Sequence, residues 1–458
     1  MPARPEIAAL PALFLPCGQG IEPLLAAELQ RLPAMADARI EPWRGGVVVH
    51  ARNVTEVPPL AMQCNLHSRL AQRVLWPVAH GDYRNEHDLY ALARSIDWTG
   101  WITPSETLKV DVTATRSPLQ SLNFAALRIK DAVCDVLRDA TGERPSVDTR
   151  QPHLPLLLHL TQQEATLYID TSGEALFKRG WRDERSGGQK GEAPLKETLA
   201  AAMLAAAGWQ GRAEDGPLFD PCCGAGTIAI EAAQLACGIA PGLRRRFAFE
   251  AMPPFRTHQA LWQRMKTEAR GLQHAPAVPV FAGDVSFRMT DFATRNAERA
   301  GVKAAIEFKT ADALQRPPPA ERGVLMLNPP YGERIEPKGS RGGERIDPQG
   351  SRGGERPGHP GSRTEGAMTP EGRGSREGFD GGASAEDFFR RLAAHWKQQY
   401  AGWTAFVLSP DMKLPQALRL KESQRTPMWN GPIECRLFRF DLVAGSARTP
   451  KAPDPGGG

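Results

Sequence analysis

Four consecutive residues, Asn328-Pro329-Pro330-Tyr331, follow the short apolar run Val324–Leu327. Two prolines remove backbone donors and stiffen the chain at that point. The Asn328 side-chain carbonyl and the Pro329 carbonyl are then two acceptors that can hold an exocyclic amine. Drawing the amine protons towards those oxygens raises the nucleophilicity of the nitrogen towards a methyl donor. Tyr331 offers a π-face on which an extruded base can stack, worth ~1–3 kcal/mol. An Asn-Pro turn by itself is common and purely structural, whereas the whole tetrapeptide behind a buried strand points to base recognition.

A second group precedes it. Asp220-Pro221-Cys222-Cys223-Gly224-Ala225-Gly226-Thr227 follows the short run Leu218–Phe219 and opens a helix over Thr227–Cys237. Glycines at 224 and 226 let the backbone turn sharply and meet a ligand without a Cβ in the way. The helix behind them presents unpaired N–H groups. The pattern suits a nucleotide-type cofactor, with Asp220, Pro221, Gly224, Gly226 and Thr227 as candidate contacts, although tight strand–helix turns use glycine for steric reasons alone. Val278–Ala282 runs through Gly283 into Asp284, whose carboxylate can accept from both hydroxyls of a ribose. Asp284 lies 58 residues after Gly226, whereas a dinucleotide-binding fold expects about 20. A nicotinamide cofactor is disfavoured by that gap. Asp312, behind Ile306–Phe308, is a third candidate, placed to accept from an adenine amine.

The elements that must position these residues fall into two sets. Up to about residue 175, short strands (Leu13–Leu15, Gly45–Ala51, Leu108–Ala114, and the hairpin Leu156–Leu160 with Ala165–Asp170) mix with helices over Ile21–Leu32 and Leu122–Leu137. The latter helix carries Phe124, Leu127, Ile129, Val133 and Leu137 as its apolar residues. This mixture indicates α+β units. Arg179–Lys190 is charged, glycine-containing and non-periodic, as in a linker or an exposed loop. Beyond Gly191, long helices alternate with apolar strands (Leu218–Phe219, Val278–Ala282, Ile306–Phe308, Val324–Leu327, Ala405–Leu408), the signature of a mostly parallel, doubly wound sheet. Two units meet near residue 185.

The 458 residues, 41% hydrophobic and 24% charged, describe globular domains rather than a disordered chain. The net charge of +5 permits nucleic-acid contact without demanding it. No apolar run approaches a membrane span. Ile7–Leu15, broken by Pro11 and flanked by Glu6, lacks the features of a signal peptide, so a cytoplasmic protein is expected. Seven scattered cysteines contain no CxxC pair, and the ten histidines form no HExxH pattern. Neither a disulfide framework nor a metal site is expected, and Cys222–Cys223 reads as small buried residues in a turn. Arg244–Arg246 reads as a solvated basic face, with an RNA-phosphate contact as the alternative.

Segment 333–382 differs in kind, with 14 glycines and 5 prolines among 50 residues. It holds an imperfect 11-residue repeat, ERIEPKGSRGG then ERIDPQGSRGG, decaying into ERPGHPGSR. It reads as a disordered insertion without a core, either a spacer or an arginine-bearing RNA tether. The last residues, 444–458, read as a frayed tail.

With DPCCGAGT and NPPY in this order, the chain resembles class I S-adenosylmethionine-dependent methyltransferases acting on a base amine. LFKRGWR (176–182), APLKETLAAAML (193–204), IEAAQLACGIAPGL (230–243), LNPPYGERI (327–335) and NGPIECRLF (430–438) are similar to the 23S rRNA guanine-N2 methyltransferases that carry an N-terminal THUMP domain, the large-subunit L type. LPCGQGIEPLLAAEL (15–29) resembles their ferredoxin-like lead domain, and 110–148 with 167–180 their THUMP core. The resemblance implies a lead domain at 1–58, a THUMP RNA-binding domain at 59–175 and a linker at 176–192. It implies a Rossmann-like methyltransferase domain at 193–332 and 383–443, and leaves 333–382 and 444–458 outside. It implies S-adenosylmethionine as cofactor, with Asp220, Gly224 and Gly226 at its methionine end, Asp284 at the ribose and Asp312 at the adenine. Asn328, Pro329, Pro330 and Tyr331 would hold the base, and Pro194–Thr198 would lie across the cofactor pocket. RNA, as 23S rRNA or a large-subunit assembly intermediate, is the implied partner, with no metal and no membrane. Two positions depart from the pattern: Cys222 stands where Met or Phe is usual, and Ser286 where a second acidic residue is usual. Some relatives carry a second methyltransferase domain for which 458 residues leave no room, so its modification is not expected. Three rivals remain. They are methylation of tRNA guanine or of adenine-N6 in DNA or RNA, a non-catalytic ribosome-assembly factor, and a nicotinamide-dependent oxidoreductase.

Overall fold

The computed structural model describes residues 11–35, 38–182, 195–329 and 385–443. Pro194, Pro330, Tyr331, the repeat segment 333–382 and the tail 444–458 lie outside the described residues. Two sheets organise the chain. The first has eight strands, β1 (Ala12–Pro16), β2 (Arg39–Trp43), β3 (Gly46–His50), β4 (Leu75–Asp82), β5 (Thr107–Ala114), β6 (Ser146–Val147), β7 (Leu154–Leu160) and β8 (Glu164–Asp170). Their order is β2-β3-β1-β4-β8-β7-β5-β6. The two N-terminal units suggested by the sequence thus share one sheet. β4 joins them, meeting β1 at Phe14↔Leu75 and β8 along its whole length.

The long helix Leu122–Thr141 packs on this sheet. Ser121 caps it, its Oγ accepting from Phe124 N at 3.2 Å, and Gly142 ends it at a φ of +82°, where a side chain would be strained. Ala125, Ile129, Ala132, Val133 and Leu137 form the buried stripe, while Phe124 and Leu127 are 49% and 50% exposed. Alanines at 125 and 132 carry the 3.6-residue phase, and the larger Phe124 and Leu127 sit off it towards solvent.

The second sheet has β9 (Leu218–Asp220), β10 (Val280–Asp284), β11 (Ile306–Thr310), β12 (Val324–Leu327), β13 (Thr404–Ser409), β14 (Gln424–Asn430) and β15 (Ile433–Asp441), in the order β11-β10-β9-β12-β13-β15-β14. β9 to β13 run parallel, and β15 is antiparallel to both β13 and β14. The order reverses between β9 and β12, the switch point at which open α/β sheets bind ligands beyond the strands' carboxyl ends. Leu218, Leu325, Met326 and Leu327 are fully buried, as both-sided burial of a parallel sheet requires.

The sheets are joined through a charged core. Glu231, fully buried in the helix Thr227–Ala236, accepts from Arg179 Nε at 3.1 Å and Arg69 Nη1 at 3.3 Å. Arg69 also donates to the Ile239 carbonyl, and Arg179 Nη2 to the Arg69 carbonyl at 2.7 Å. At Gly242, whose N–H donates to Leu66 O at 2.9 Å, a Cβ would stand 2.6 Å from Asn65 O. Only glycine fits that crossing. Arg179 and Trp181 are 3% and 1% exposed, so the first residues of the stretch read as an exposed loop or linker are instead packed at this junction. Charged side chains there meet buried carboxylates rather than water. Of the Arg244–Arg246 triplet, Arg244 and Arg246 are exposed, as the sequence reading expects, and Arg245 departs from it. Arg245 donates to the carbonyls of Ala175, Lys178 and Glu174, and Arg244 to that of Arg299. Among the described residues no helix is long and apolar enough to cross a membrane.

Candidate active site

The carboxyl ends of β9, β10, β11 and β12 bring the candidate residues to one edge of the sheet. β9 ends in Asp220, level with Ala282 of β10, and Asp284 at the end of β10 is level with Thr310 of β11, two residues before Asp312. On the other side of β9, Leu327 closes β12, and Asn328 and Pro329 follow it, half-buried and buried respectively. Pro221 is buried beside Asp220.

Between β9 and its helix the chain makes a closed turn. Asp220 Oδ1 accepts from Cys222 N at 3.2 Å, Cys223 N donates to Gly283 O at 2.8 Å, and Gly226 N donates to Cys223 O at 2.7 Å. Asp284 grips the same turn from the next strand, its Oδ2 accepting from Gly224 N at 3.1 Å and its Oδ1 from Ser286 N at 2.9 Å. Asn296 Nδ2 holds Ala225 O at 2.9 Å. The two glycines serve different ends. Gly226, at a φ of +82°, would place a Cβ 3.0 Å from that of Ala293, so it lets the turn close on the helix Phe287–Ala300. Gly224, at a φ of +49°, would meet nothing within 4 Å. It faces open space, where a ligand can approach the backbone.

The electrostatics are acidic. Burial, and then Asp284, pushes the Asp220 carboxyl well above the usual carboxylate range. Burial followed by Asp220, Asp284 and Asp312 pushes the Cys222 thiol well above its usual range, so the three carboxylates surround one protonated thiol. Among the described residues no group of His, Cys, Asp or Glu is arranged to hold a metal ion. Asp312 Oδ1 accepts from Leu314 N at 2.8 Å. Thr227, like the three aspartates, is engaged within the protein, its Oγ1 accepting from Arg182 Nη2 at 2.7 Å.

A turn open to a ligand on its glycine side, three carboxylates at successive strand ends and an Asn-Pro beyond the neighbouring strand form one continuous edge. Residues 179–346 match the methyltransferase domain described as RMKL-like, 83–170 match the THUMP domain, and 12–75 match the RlmL ferredoxin-like domain. The "Putative RNA methyltransferase slr0064" of Synechocystis is 31% identical over 431 residues, covering 94% of this chain and 96% of that protein. The chain belongs to this family of THUMP-containing, RMKL-like methyltransferases. The "Ribosomal RNA large subunit methyltransferase K/L" of Shewanella baltica is 35% identical over 406 residues, 86% of this chain and 49% of that protein. The chain therefore spans about half the length of the K/L relatives it matches. In fold, it is similar to the crystal structure of SMU.472, "a putative methyltransferase complexed with SAH", with a TM-score of 0.73 and 23% identity over 95% of this chain and 98% of that one.

Within this methyltransferase domain the structure adds residues that sequence reasoning left without a role. Arg182 bonds Glu197 Oε1 at 2.5 Å, Leu195 O at 3.0 Å and Thr227 at once. The LFKRGWR segment and Leu195–Glu197 are thereby tied to the start of the turn's helix. Their spacing in sequence gave no hint of that contact. Val285 and Phe287 are 74% and 75% exposed immediately after Asp284, apolar surface at the mouth of the acidic edge. Apolar residues directly behind a strand-end Asp were the available signal.

Proposed function

We infer that the chain is an S-adenosylmethionine-dependent RNA methyltransferase that modifies the N2 amine of a guanine, in 23S rRNA. The observation that carries this reading is the shared edge, where the Asp220–Asp284–Asp312 group around an open Gly224 adjoins Asn328 and Pro329. The edge fits the cofactor. Gly224 leaves room where a side chain would stand, and the acidic ends suit a ligand with a cationic ammonium and a ribose diol. Asp220 and Gly224 would hold the amino-acid end, Asp284 the ribose hydroxyls, and Asp312 the adenine amine, with Val285 flanking the ring. When bound, the cofactor supplies an electrophilic methyl group on a sulfonium.

The chain's own work is positioning. Asn328 Oδ1 and the Pro329 carbonyl accept from the guanine amine and fix its plane. Tyr331 supplies a stacking face for the base, which must leave its stack at a cost of a few kcal/mol. Holding two reactants in a near-attack geometry can supply ~7–11 kcal/mol of the barrier. The THUMP region would select RNA by shape and backbone contacts, as befits a folded rRNA.

The test is incubation of the full chain with methyl-labelled cofactor and, separately, 23S rRNA, tRNA and duplex DNA, followed by nucleoside digestion and mass spectrometry. N2-methylguanosine from 23S rRNA alone is expected. Label in N6-methyladenine, in tRNA only, or in nothing would overturn the assignment.

A further inference from the structure

A cleft of about 290 Å³ opens between three elements that are far apart in sequence. One wall is the lead domain, with Gln19 in its turn and Gln72 just before β4; another is Lys196 and Thr198 at the start of the helix Glu197–Ala207; and the third is the hairpin tip with Trp429 and Asn430. The size is close to the ~300 Å³ at which small-ligand pockets begin.

Its place in the sheet is fixed by register. Leu327 of β12 is level with Val407 of β13, Val407 with Phe438 of β15, and Phe438 with Arg425 of β14. β14 runs parallel to β12, so Asn430, five residues beyond Arg425, projects past the end of β12 by roughly 17 Å at ~3.3 Å per residue. Three strand spacings separate the two strands, about 14 Å at ~4.8 Å each. The hairpin tip therefore projects beyond the same end of the sheet as Asn328.

The lining mixes apolar residues, among them Ile21, Leu70 and Leu199, with polar side chains that make no hydrogen bond to a described residue. Thr198 is 7% exposed, yet its hydroxyl bonds no described residue, and the side chains of Gln19, Gln72 and Asn430 likewise make no hydrogen bond to one. Carboxamides carry both donors and acceptors, the set needed to read the edge of a base. Lys196 is the one charged residue of the lining and gives it a single cationic contact for a phosphate. Trp429 is half-buried, with its ring edge 3.6 Å from where a Cβ on Gly20 would lie, so the lead domain holds the indole in place.

We propose that this cleft is a subsite for a second, unpaired nucleotide of the RNA, near the target base in the strand, with Trp429 as stacking platform and Gln72, Thr198 and Asn430 as readers of the base edge. The proposal rests on the RNA-methyltransferase reading and names a part of the substrate that reading does not reach. The site makes the lead domain part of the substrate grip, because neither the hairpin nor the helix start closes the cleft without it.

The test uses the full chain, fluorescein-labelled oligoadenylate and oligouridylate for anisotropy, and 23S rRNA for methyl transfer. Trp429→Ala is expected to weaken oligonucleotide binding by about tenfold, the loss of one stacked base, and to raise KM for rRNA similarly with kcat and cofactor affinity unchanged. Trp429→Phe, which keeps a π-face, is expected to restore most of it. Because Trp429 packs on the lead domain, Gln19→Glu and Gln72→Glu provide a second arm. Both are isosteric, and the added carboxylate should repel the phosphate backbone. Unchanged oligonucleotide affinity and rRNA KM in all these variants overturns the subsite, as does a wild-type chain that methylates rRNA yet binds neither oligonucleotide. A wild-type chain that binds no RNA and methylates none overturns the RNA reading, and the subsite with it.

Discussion

Gly224 and Gly226 stand two residues apart in one turn, both at positive φ, and the structure assigns them opposite sensitivities. Alanine at either position takes on a left-handed conformation, costing roughly 1–2 kcal/mol. At Gly224 nothing further is lost, since the new Cβ meets no atom within 4 Å. At Gly226 the new Cβ stands 3.0 Å from that of Ala293, and overpacking adds ~1–3 kcal/mol. Gly226→Ala should therefore cost about 2–5 kcal/mol in total, and Gly224→Ala about 1–2. Cofactor binding follows a different order. The Gly224 methyl would fill space assigned to the ligand, and the same overpacking range, now expressed only in the complex, predicts a loss of roughly 5- to 150-fold. Scanning calorimetry reads the first quantity and isothermal titration with S-adenosylhomocysteine the second. Gly224→Ala should lose only about 1–2 kcal/mol of stability, less than Gly226→Ala, yet bind poorly. If it binds the nucleoside as wild type does, the open side of the turn is not the cofactor site.

Asn328→Ala should abolish methyl transfer with cofactor affinity retained, whereas Asp284→Ala should weaken calorimetric cofactor binding first; equal loss of both functions in Asn328→Ala would count against its role. Glu231→Gln leaves the Arg69 and Arg179 guanidiniums uncompensated at the junction of the sheets, and breaking such a buried pair costs about 3–5 kcal/mol. Denaturant midpoints should show it, with Glu231→Gln plus Arg179→Met recovering part of the loss, and a midpoint unmoved by Glu231→Gln alone would refute the estimate. Burial, and then Arg69, depresses His67 from 6.5 to about 4. Its neutral form therefore contributes stability above pH 6.5 that is lost as the pH falls towards about 4. The ceiling of that contribution is ~3 kcal/mol. His67→Gln should flatten the acid limb of a Tm-versus-pH curve, and an unchanged limb would exclude His67 as its source.

The parallel sheet was legible because each of its strands is an apolar run bounded by turn residues, and the strand-end positions of Asp220, Asp284 and Asn328 followed from those runs. The lead and THUMP units were legible as separate motifs but not as one sheet. Their union depends on the single Phe14↔Leu75 bridge and the pairing of β4 with β8, long-range choices that leave no periodicity in the chain. Charged residues misled most. Arg179 and Arg245 look solvated by composition, yet each is spent on buried carbonyls or on Glu231, partners supplied by elements dozens of residues away. Phe124 and Leu127 misled differently: bulk suggested the core, but the small Ala125 and Ala132 carry the buried phase.

The sheet shared by the two N-terminal units has a geometric corollary. β4 is a common rung, so the THUMP surface proposed to grasp RNA and the lead-domain turn that meets the hairpin cannot slide past one another, and Glu231 bolts both to the helix behind the glycine turn. Such an arm is a caliper of fixed jaw width. It would accept an RNA whose anchoring fold and reactive guanine are separated by one set span, and pass over identical bases held at any other.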